Sequence, residues 1–300
     1  MKVLITGSSG QLGRLLKEKI SNKYIDIFAP ASKDFDLKNK IQINKFIKSN
    51  KPDWVINCPV FTNVDSAESN EQDAYLLNSE GPKYIVESLL VNGGKLLQIS
   101  TDYVFDWYTN KPYLTSDRIN PLNVYGKSKY LGERNILDTL GYSSRAYILR
   151  TSWISSPSRK NFALTILKLF SEKDSVNVVS NQIGCPTNVF SLSDLFWKLI
   201  TKLSSDQNIN LKKPIFNYSD AGSCSWFQLA KEISKIAKDV GLIIRLPNIY
   251  PIKKIDYPVH VSIPIFSILE YSDLINYLNY TRNQWRVSLL KMISNIKNIT

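Results

Sequence analysis

The sequence predicts an α/β protein built on a doubly wound parallel sheet, with a smaller C-terminal lobe. Short apolar runs alternate with longer helical patterns through the first half of the chain, and this alternation loosens in the second half. Strands that alternate with helices favour a parallel sheet covered by helices on both faces. With 300 residues, the chain is long enough for two domains or for one core with a large lobe.

In the first half, each predicted strand is followed by a predicted helix. The strand patterns cover residues 3–5, 24–28, 54–56, 96–99 and 146–149. The helical patterns between them cover residues 12–20, 41–47, 71–91 and 121–140. This order is typical of a doubly wound unit, which we assign to residues 1–154.

The second half is more irregular. Helical patterns lie near residues 162–171, 192–203 and 226–240, with brief strands near 176–179 and 215–218. Ser225, followed three positions later by Gln228, predicts a capping box at the start of the third helix. Prolines then interrupt the chain before a last helix near 284–296. We expect residues 155–300 to form a smaller lobe that does not fold independently.

The composition excludes several classes of protein. With 43% hydrophobic and 21% charged residues, the chain is that of an ordinary globular protein. Its apolar stretches are too short for a membrane span, and its N-terminus begins as a strand, so we expect a cytoplasmic protein. The cysteines Cys58, Cys185 and Cys224 are widely spaced and odd in number, which favours reduced packing residues. A single histidine, His260, and no convincing acidic cluster argue against a bound metal.

The net charge of +12 is spread along helical segments. No run reaches five like charges, and no nucleic-acid-binding signature accompanies the charge. We therefore interpret most of it as solvated helix faces. It can also steer small polyanions toward a cleft.

The first turn carries the motif Gly7-x-x-Gly10-x-x-Gly13, directly after a strand and at the start of a helix. Glycines at this spacing allow a tight turn and let the backbone approach a pyrophosphate, whose charge the helix N-terminus favours. The motif predicts a dinucleotide site on a Rossmann fold. The second strand lacks the acidic residue that binds an NAD ribose, whereas Ser32 and Lys33 can accept a 2′-phosphate, so NADPH is favoured and NADH stays possible. A solvent-facing loop lysine is the alternative for Lys33.

The spacing Tyr125-x-x-x-Lys129 places a phenol and an ammonium on one face of a helix. Thr101 lies at the end of the preceding strand, where ligands of open α/β sheets bind. A carbonyl that accepts a hydride needs a proton donor, and free tyrosine, with a pKa near 10, holds its proton too tightly. We expect Lys129 and an oxidised nicotinamide to lower the pKa of Tyr125, and Thr101 to bind the carbonyl oxygen.

Six segments together resemble the extended short-chain dehydrogenase/reductases, and within them the dTDP-4-dehydrorhamnose reductase family. The resemblance runs over nearly the whole chain. The segments that carry it cover residues 5–13, 62–69, 100–106, 120–129, 149–153 and 181–187. It implies that NAD(P)H reduces the 4-keto group of a nucleotide-linked 6-deoxysugar, the last step toward an activated rhamnose, and that the smaller lobe mainly binds this substrate.

The resemblance also implies roles for individual positions. Thr101, Tyr125 and Lys129 would form the catalytic set, and the last two would also contact the cofactor. The other positions implied at the cofactor are Gly7, Gly10, Gln11, Leu12, Asp36, Leu37, Cys58, Pro59 and Val60. The positions implied at the sugar are Thr62, Val64, Asp102, Tyr103 and Trp153, and for these packing is the alternative role.

Two departures from the family pattern lie near the expected sugar site. Cys58 and Pro59 stand where the family has small residues, and Pro59 has no N–H to offer a cofactor. Ile154 follows Trp153 where the family carries an aromatic residue. These changes concern the identity of the sugar rather than the class of reaction.

Two alternative functions stay open at this point. One is another 4-ketosugar reductase or an epimerase of nucleotide sugars on the same scaffold. The other is a cofactor-binding partner without activity, like the related regulatory subunit of methionine adenosyltransferase. A homodimer is possible, and neither a nucleic acid nor a membrane is expected as a partner.

Overall fold

The protein is described from a computed structural model, which covers residues 1–19, 24–58, 61–141, 144–205, 214–256 and 265–296. Within these residues the strands are β1 (Lys2–Thr6), β2 (Asp26–Phe28), β3 (Trp54–Asn57), β4 (Lys95–Thr101), β5 (Ala146–Thr151), β6 (Ile154–Ser155), β7 (Ser175–Val179), β8 (Ile183–Gly184), β9 (Thr187–Asn188), β10 (Ile215–Asn217), β11 (Cys224–Ser225), β12 (Asn248–Ile252) and β13 (Phe266–Ser267). Pro59, Val60 and His260 lie outside the described residues.

The helices of the same part of the chain cover most of the predicted helical patterns. They are α1 (Gln11–Glu18), α2 (Lys40–Asn50), α3 (Val64–Ser69), α4 (Glu71–Tyr75), α5 (Gly81–Asn92), α6 (Val124–Leu140), α7 (Phe162–Glu172), α8 (Val189–Ser205), α9 (Trp226–Asp239), α10 (Ser272–Leu278) and α11 (Trp285–Ile293). A π-helical turn, Leu76–Glu80, joins α4 to α5, so the single helix predicted over 71–91 is continuous but changes its winding.

Six strands form the main sheet in the order β10-β5-β4-β3-β1-β2. Every neighbouring pair in this sheet is parallel. The chain runs outward from β1 to β2 and then returns to the other side of β1, so the order reverses between β1 and β3. This confirms the predicted doubly wound sheet, and such a reversal is where open α/β sheets bind their ligands.

Helices bury both faces of this sheet. On one face, α1 and α8 pack Leu16 and Leu195 against the strands, and on the other, α2, α5 and α6 pack residues such as Ile43 and Ile136. The strands are apolar on both sides, as β3 shows, because neither face meets water.

The C-terminal lobe has its own apolar cluster, formed by α7, α9 and α11 with β7. The predicted capping box is present at α9, where the Ser225 side chain accepts from Gln228 N–H and the Gln228 side chain accepts from Ser225 N–H. Two elements that follow residue 154 join the sheet-containing part of the protein and not the lobe. Strand β10 forms an edge of the main sheet, and helix α8 covers one of its faces.

Helix α6 begins later than the sequence pattern indicates. The prediction placed its start near Pro121, but it begins at Val124, because the Asn123 side chain caps it by accepting from Gly126 N–H at 2.7 Å. Glu68 Oε1 accepts a second free amide, Val124 N–H, at 2.9 Å. These two contacts fix the end of the helix from which Tyr125 projects.

Candidate active site

A cleft of about 560 Å³ opens at the carboxyl ends of the main strands and continues into the C-terminal lobe. The residues that directly follow β1, β3, β4 and β5 all contribute to its walls. The predicted site residues that line it are Gly7, Gly10, Gln11, Leu12, Cys58, Thr62, Val64, Thr101, Asp102, Tyr103, Tyr125 and Trp153.

A row of buried polar side chains crosses the sheet beneath this cleft. The Thr6 hydroxyl donates to Asn57 Oδ1, and Asn57 Nδ2 donates to Gln98 Oε1 at 2.7 Å. These residues stand side by side on β1, β3 and β4. The row ties together the strands whose ends form the floor of the cleft.

The glycine turn fits a dinucleotide pyrophosphate. Gly7 has a φ of 58°, which favours glycine, and a Cβ at Gly13 would stand 2.4 Å from the Gly7 carbonyl oxygen. The N-cap of α1 is Gly10, so no side chain covers the first amides of the helix, and its first turn has no acidic residue. Those amides are therefore free to receive an anion.

Tyr125 and Thr101 meet at the end of β4. Tyr125 projects from the first turn of α6 and is 8% exposed, and Thr101 is the last residue of β4. Burial raises the pKa of Tyr125 above that of free tyrosine, while the Thr101 hydroxyl acts in the opposite direction. Desolvation is the largest influence on the phenol in the protein by itself. The lowering of this pKa by Lys129 together with an oxidised nicotinamide stays a prediction.

Lys129 lies one turn further along α6, beneath the cleft rather than in its wall. Its side chain is buried, and Nζ donates to the Ile99 carbonyl oxygen of β4 at 2.8 Å. Burial lowers its pKa to about 8, and the nearby Glu133 carboxylate opposes this change. The ammonium is therefore mainly charged at neutral pH and loses its proton in mild alkali.

Asp102 is a buried carboxylate at the floor of the cleft. It is 2% exposed; Oδ1 accepts from the Thr101 hydroxyl at 3.1 Å, and Oδ2 has no hydrogen-bond partner among the described residues. Burial raises its pKa to about 7, and the hydroxyls of Ser267 and Thr101 oppose this. A carboxyl group with a free buried oxygen is suited to hold a hydroxyl of a bound ligand.

Trp153 follows β5 and stands at the boundary between the sheet and the lobe. Its ring stacks on Trp226 of α9, with centroids 3.4 Å apart. Gly184 makes room for the indole, because a Cβ there would lie 2.4 Å from Trp153 Cε2. Trp153 lines the cleft and also packs against the core of the lobe, so the packing role is present, while its contact with the sugar stays a prediction.

Three described residues predicted at the cofactor, Lys33, Asp36 and Leu37, lie outside the wall of this cleft. Lys33 is exposed in the loop after β2, and its carbonyl oxygen accepts from Gln42 Nε2 at 2.8 Å. Asp36 is half-buried nearby, and Leu37 packs into the apolar core beside α2. Pro59 and Val60, also predicted at the cofactor, lie outside the described residues.

Several residues at the site are absent from the sequence predictions. Arg159 and Lys160 bring positive charge from the lobe to the cleft, and the Gln11 side chain accepts from the Ser156 hydroxyl at 2.7 Å across it. The one feature of the sequence that could have indicated Ser156, Arg159 and Lys160 is that they follow β5, at the end of the sheet where ligands bind. Glu133, one turn beyond Lys129, was missed as well, although the periodicity of α6 already places it on the same face.

Among the described residues, no group of three or more His, Cys, Asp or Glu side chains is placed to hold a metal ion. The three cysteines are free and buried, as expected. No described helix is both long enough and apolar enough to cross a membrane.

The fold and the site define a Rossmann-type nucleotide-binding protein with the tyrosine–lysine helix of the short-chain dehydrogenase/reductases. More narrowly, the chain belongs to the RmlD substrate binding domain family, whose profile matches residues 1–298. It is similar to the dTDP-4-dehydrorhamnose reductase of Aggregatibacter actinomycetemcomitans, with 34% identity over 289 residues that cover 96% of this chain and 97% of the relative.

Two solved structures share the whole architecture. One is a dTDP-4-dehydrorhamnose reductase from Clostridium acetobutylicum, with a TM-score of 0.88, 31% identity and 98% of each chain covered. The other is the dTDP-4-dehydrorhamnose reductase of Bacillus anthracis in complex with NADP, with a TM-score of 0.87, 31% identity and coverage of 97% of this chain and 98% of that one. The resemblance drawn from the sequence is thereby confirmed at the level of the family.

Proposed function

We propose that the protein is a reductase that uses NADPH to reduce the 4-keto group of dTDP-4-dehydrorhamnose, giving dTDP-rhamnose. The observation that carries this proposal is that Thr101 and Tyr125 meet at the end of β4, in the same cleft as the glycine turn, with Lys129 bound to β4 beneath that cleft. The solved relative with NADP supports the choice of cofactor, and the named relatives support the choice of substrate.

The cofactor would bind along the glycine turn, with its pyrophosphate at the free amides of α1 and its nicotinamide near Tyr125. When bound, it supplies the hydride for the substrate carbon. Lys129 would hold the nicotinamide ribose from below. Lys33 is the side chain we propose for the 2′-phosphate of NADPH, and Asp36 and Leu37 would flank the adenine.

The chain's own residues would supply the proton and hold the sugar. The Tyr125 hydroxyl gives its proton to the former carbonyl oxygen as the carbon receives the hydride, and the Thr101 hydroxyl donates a hydrogen bond to that same oxygen. Asp102 would bind a sugar hydroxyl through its free Oδ2, while the Trp153 ring covers the apolar face of the deoxysugar. Thr62, Val64 and Tyr103 would complete the wall of the sugar site.

The buried phenol needs help to act as an acid at neutral pH. Burial alone makes Tyr125 a weaker acid than free tyrosine. Two positive charges, the Lys129 ammonium and the oxidised nicotinamide, favour the phenolate that remains after proton transfer. Because the nicotinamide would gain its charge only as it gives up the hydride, the acid would be strongest during hydride transfer, when the proton is needed.

The proposal is tested by an assay with purified protein, NADPH and a panel of nucleotide 4-ketosugars. The panel contains dTDP-4-dehydrorhamnose, dTDP-4-keto-6-deoxyglucose, which differs from it in configuration at C3 and C5, and a GDP-linked 4-keto-6-deoxysugar. We expect the absorbance of reduced nicotinamide to fall fastest with the first. Faster turnover of another member would assign the protein to another 4-ketosugar reductase, and NADPH binding without turnover of any member would favour a cofactor-binding partner without activity.

A further inference from the structure

A second buried layer of charge lies beneath the catalytic residues, on the side of α6 that faces the sheet. Glu133 follows Lys129 by four residues on this helix, as Lys129 follows Tyr125, so the three side chains share one face. Glu133 and Arg150 each have 2% of the side chain exposed. A buried ion pair of this kind is costly unless its hydrogen bonds are complete.

The hydrogen bonds of Glu133 are complete. Arg150 of β5 donates from Nε to Oε1 at 3.0 Å and from Nη2 to Oε2 at 2.6 Å. The Ser100 hydroxyl of β4 donates to Oε1 at 2.5 Å. Arg150 is itself fixed, because Nη1 donates to the Thr115 carbonyl oxygen at 3.2 Å and its guanidinium lies over the Phe105 ring.

These contacts hold α6 to three consecutive residues of β4. Lys129 is bound to the carbonyl oxygen of Ile99, Glu133 to the hydroxyl of Ser100, and Tyr125 stands beside Thr101. The Glu133 contact lies between the other two along β4, so we expect it to help fix the positions of Tyr125 and Lys129 relative to the end of this strand.

The charged and titratable groups around Lys129 come from three elements. Glu133 and Tyr125 lie on its own helix, Cys58 follows β3, and Arg150 of β5 stands behind Glu133. Among these, the Glu133 carboxylate is the largest influence that favours the ammonium, against a burial that lowers its pKa to about 8. The hydrogen bonds from Arg150 hold the Glu133 carboxylate in place. The hydrogen-bond partner of Lys129 is the Ile99 carbonyl oxygen, so Glu133 acts on Lys129 through its charge.

We propose that Glu133, oriented by Arg150 and Ser100, is a positioning residue for the reduction: it keeps Lys129 charged and holds α6 in register with β4. The proposal rests on the function proposed above for Tyr125 and Lys129. Glu133 itself does not line the cleft in which substrate and cofactor are proposed to bind.

The test compares two variants of Glu133 in the full chain. Glu133→Gln keeps the volume and removes the charge, whereas Glu133→Asp keeps the charge on a shorter side chain. The pKa of Lys129 is measured by NMR on protein labelled at the lysine side chains, with its signal assigned by its loss in Lys129→Arg. We expect Glu133→Gln to lower this pKa by about one unit or more, and Glu133→Asp to retain most of the native value.

Kinetics with NADPH and the ketosugar supply the second readout. The kcat of the native protein should fall at high pH, and in Glu133→Gln this fall should begin at a pH lower by the same number of units as the Lys129 pKa. KM should change less than twofold. Asp138→Asn, an exposed carboxylate on the same helix, is the matched control and should change neither value. An unchanged Lys129 pKa in folded Glu133→Gln would overturn the proposal.

Removal of the charge from Glu133 leaves Arg150 buried without its partner, which can unfold the protein. The double variant Glu133→Gln/Arg150→Met removes both charges and should fold, with a lowered Lys129 pKa. If neither variant folds, the pair serves stability alone and the proposal fails. The NMR titration needs no substrate, so it decides the role of Glu133 even if no ketosugar is reduced and the proposed function fails.

Discussion

Lys129 Nζ donates a hydrogen bond of 2.8 Å to the carbonyl oxygen of Ile99, two residues before the end of β4. This contact binds the lysine to the strand that carries Thr101, so the position of the ammonium is fixed relative to the end of β4. The ammonium is buried at the same time, and its pKa falls to about 8. Lys129 thus binds β4 and also carries a charge that it loses in mild alkali.

The low pKa of Lys129 predicts a loss of activity in mild alkali. The charged form is needed to favour the phenolate of Tyr125, and it disappears as the pH rises above about 8. We expect kcat/KM for the ketosugar to fall above this pH, as measured from pH 6 to 10. In Lys129→Arg the side chain cannot lose its charge in this range, so the fall of kcat/KM at high pH should be absent. A native profile that stays level to pH 10 would contradict the assignment.

The buried carboxyl group of Asp102 predicts an unusual dependence of stability on pH. Its pKa is raised from 3.8 to about 7, so between these values the folded protein holds a proton that the unfolded chain releases. Stability from this group is therefore full below pH 4 and is lost as the pH rises to 7, by at most about 4 kcal/mol at about 1.4 kcal/mol per unit.

Asp102→Asn removes this dependence, because the amide does not titrate. Denaturant unfolding at pH 5 and pH 8 should show a smaller loss of the free energy of unfolding in the variant than in the native protein. Equal losses in both would mean that the carboxyl group is hydrated and ionised in the folded state.

The contact between Gly184 and Trp153 predicts that two different substitutions have the same effect. Gly184→Ala places a methyl group against the indole, and Trp153→Ala removes the indole. Both should raise KM for the ketosugar by about tenfold or more and leave the Kd of NADPH within twofold. Unfolding of Trp153→Ala, measured by thermal denaturation, would instead assign this ring to the core of the lobe.

Lys33 is predicted to distinguish the two nicotinamide cofactors. Its ammonium is exposed in the loop after β2, where a 2′-phosphate would lie. Lys33→Ala should weaken NADPH binding by about tenfold and leave NADH binding unchanged, as measured by calorimetry. Lys45→Ala, an exposed lysine on α2, is the control and should alter neither. Equal weakening of both cofactors would remove Lys33 from the phosphate site.

The sheet and the glycine turn are predictable from sequence because they depend on local patterns. Alternating strands and helices, and glycines directly after β1, require no knowledge of distant contacts. The same holds for the Tyr125 and Lys129 pair, since a spacing of four residues is a property of one helix.

The parts that the sequence does not predict depend on long-range contacts. The start of α6 is set by Asn123 and by Glu68, which lies 56 residues from Val124. The pKa of Tyr125 is raised because the phenol is buried, and burial arises only when α6 packs on β4. Gly184 gives no sign in the sequence that it faces Trp153, which lies in another element.

The central claim, that Tyr125 donates the proton, is tested most directly by the steady-state kinetics of Tyr125→Phe with NADPH and dTDP-4-dehydrorhamnose. The variant keeps the ring and its packing against Tyr103 but has no transferable proton. We predict that kcat falls by about 100-fold to 10,000-fold while the Kd of NADPH changes less than twofold. A Tyr125→Phe enzyme that reduces the ketosugar at a near-native rate would contradict the account.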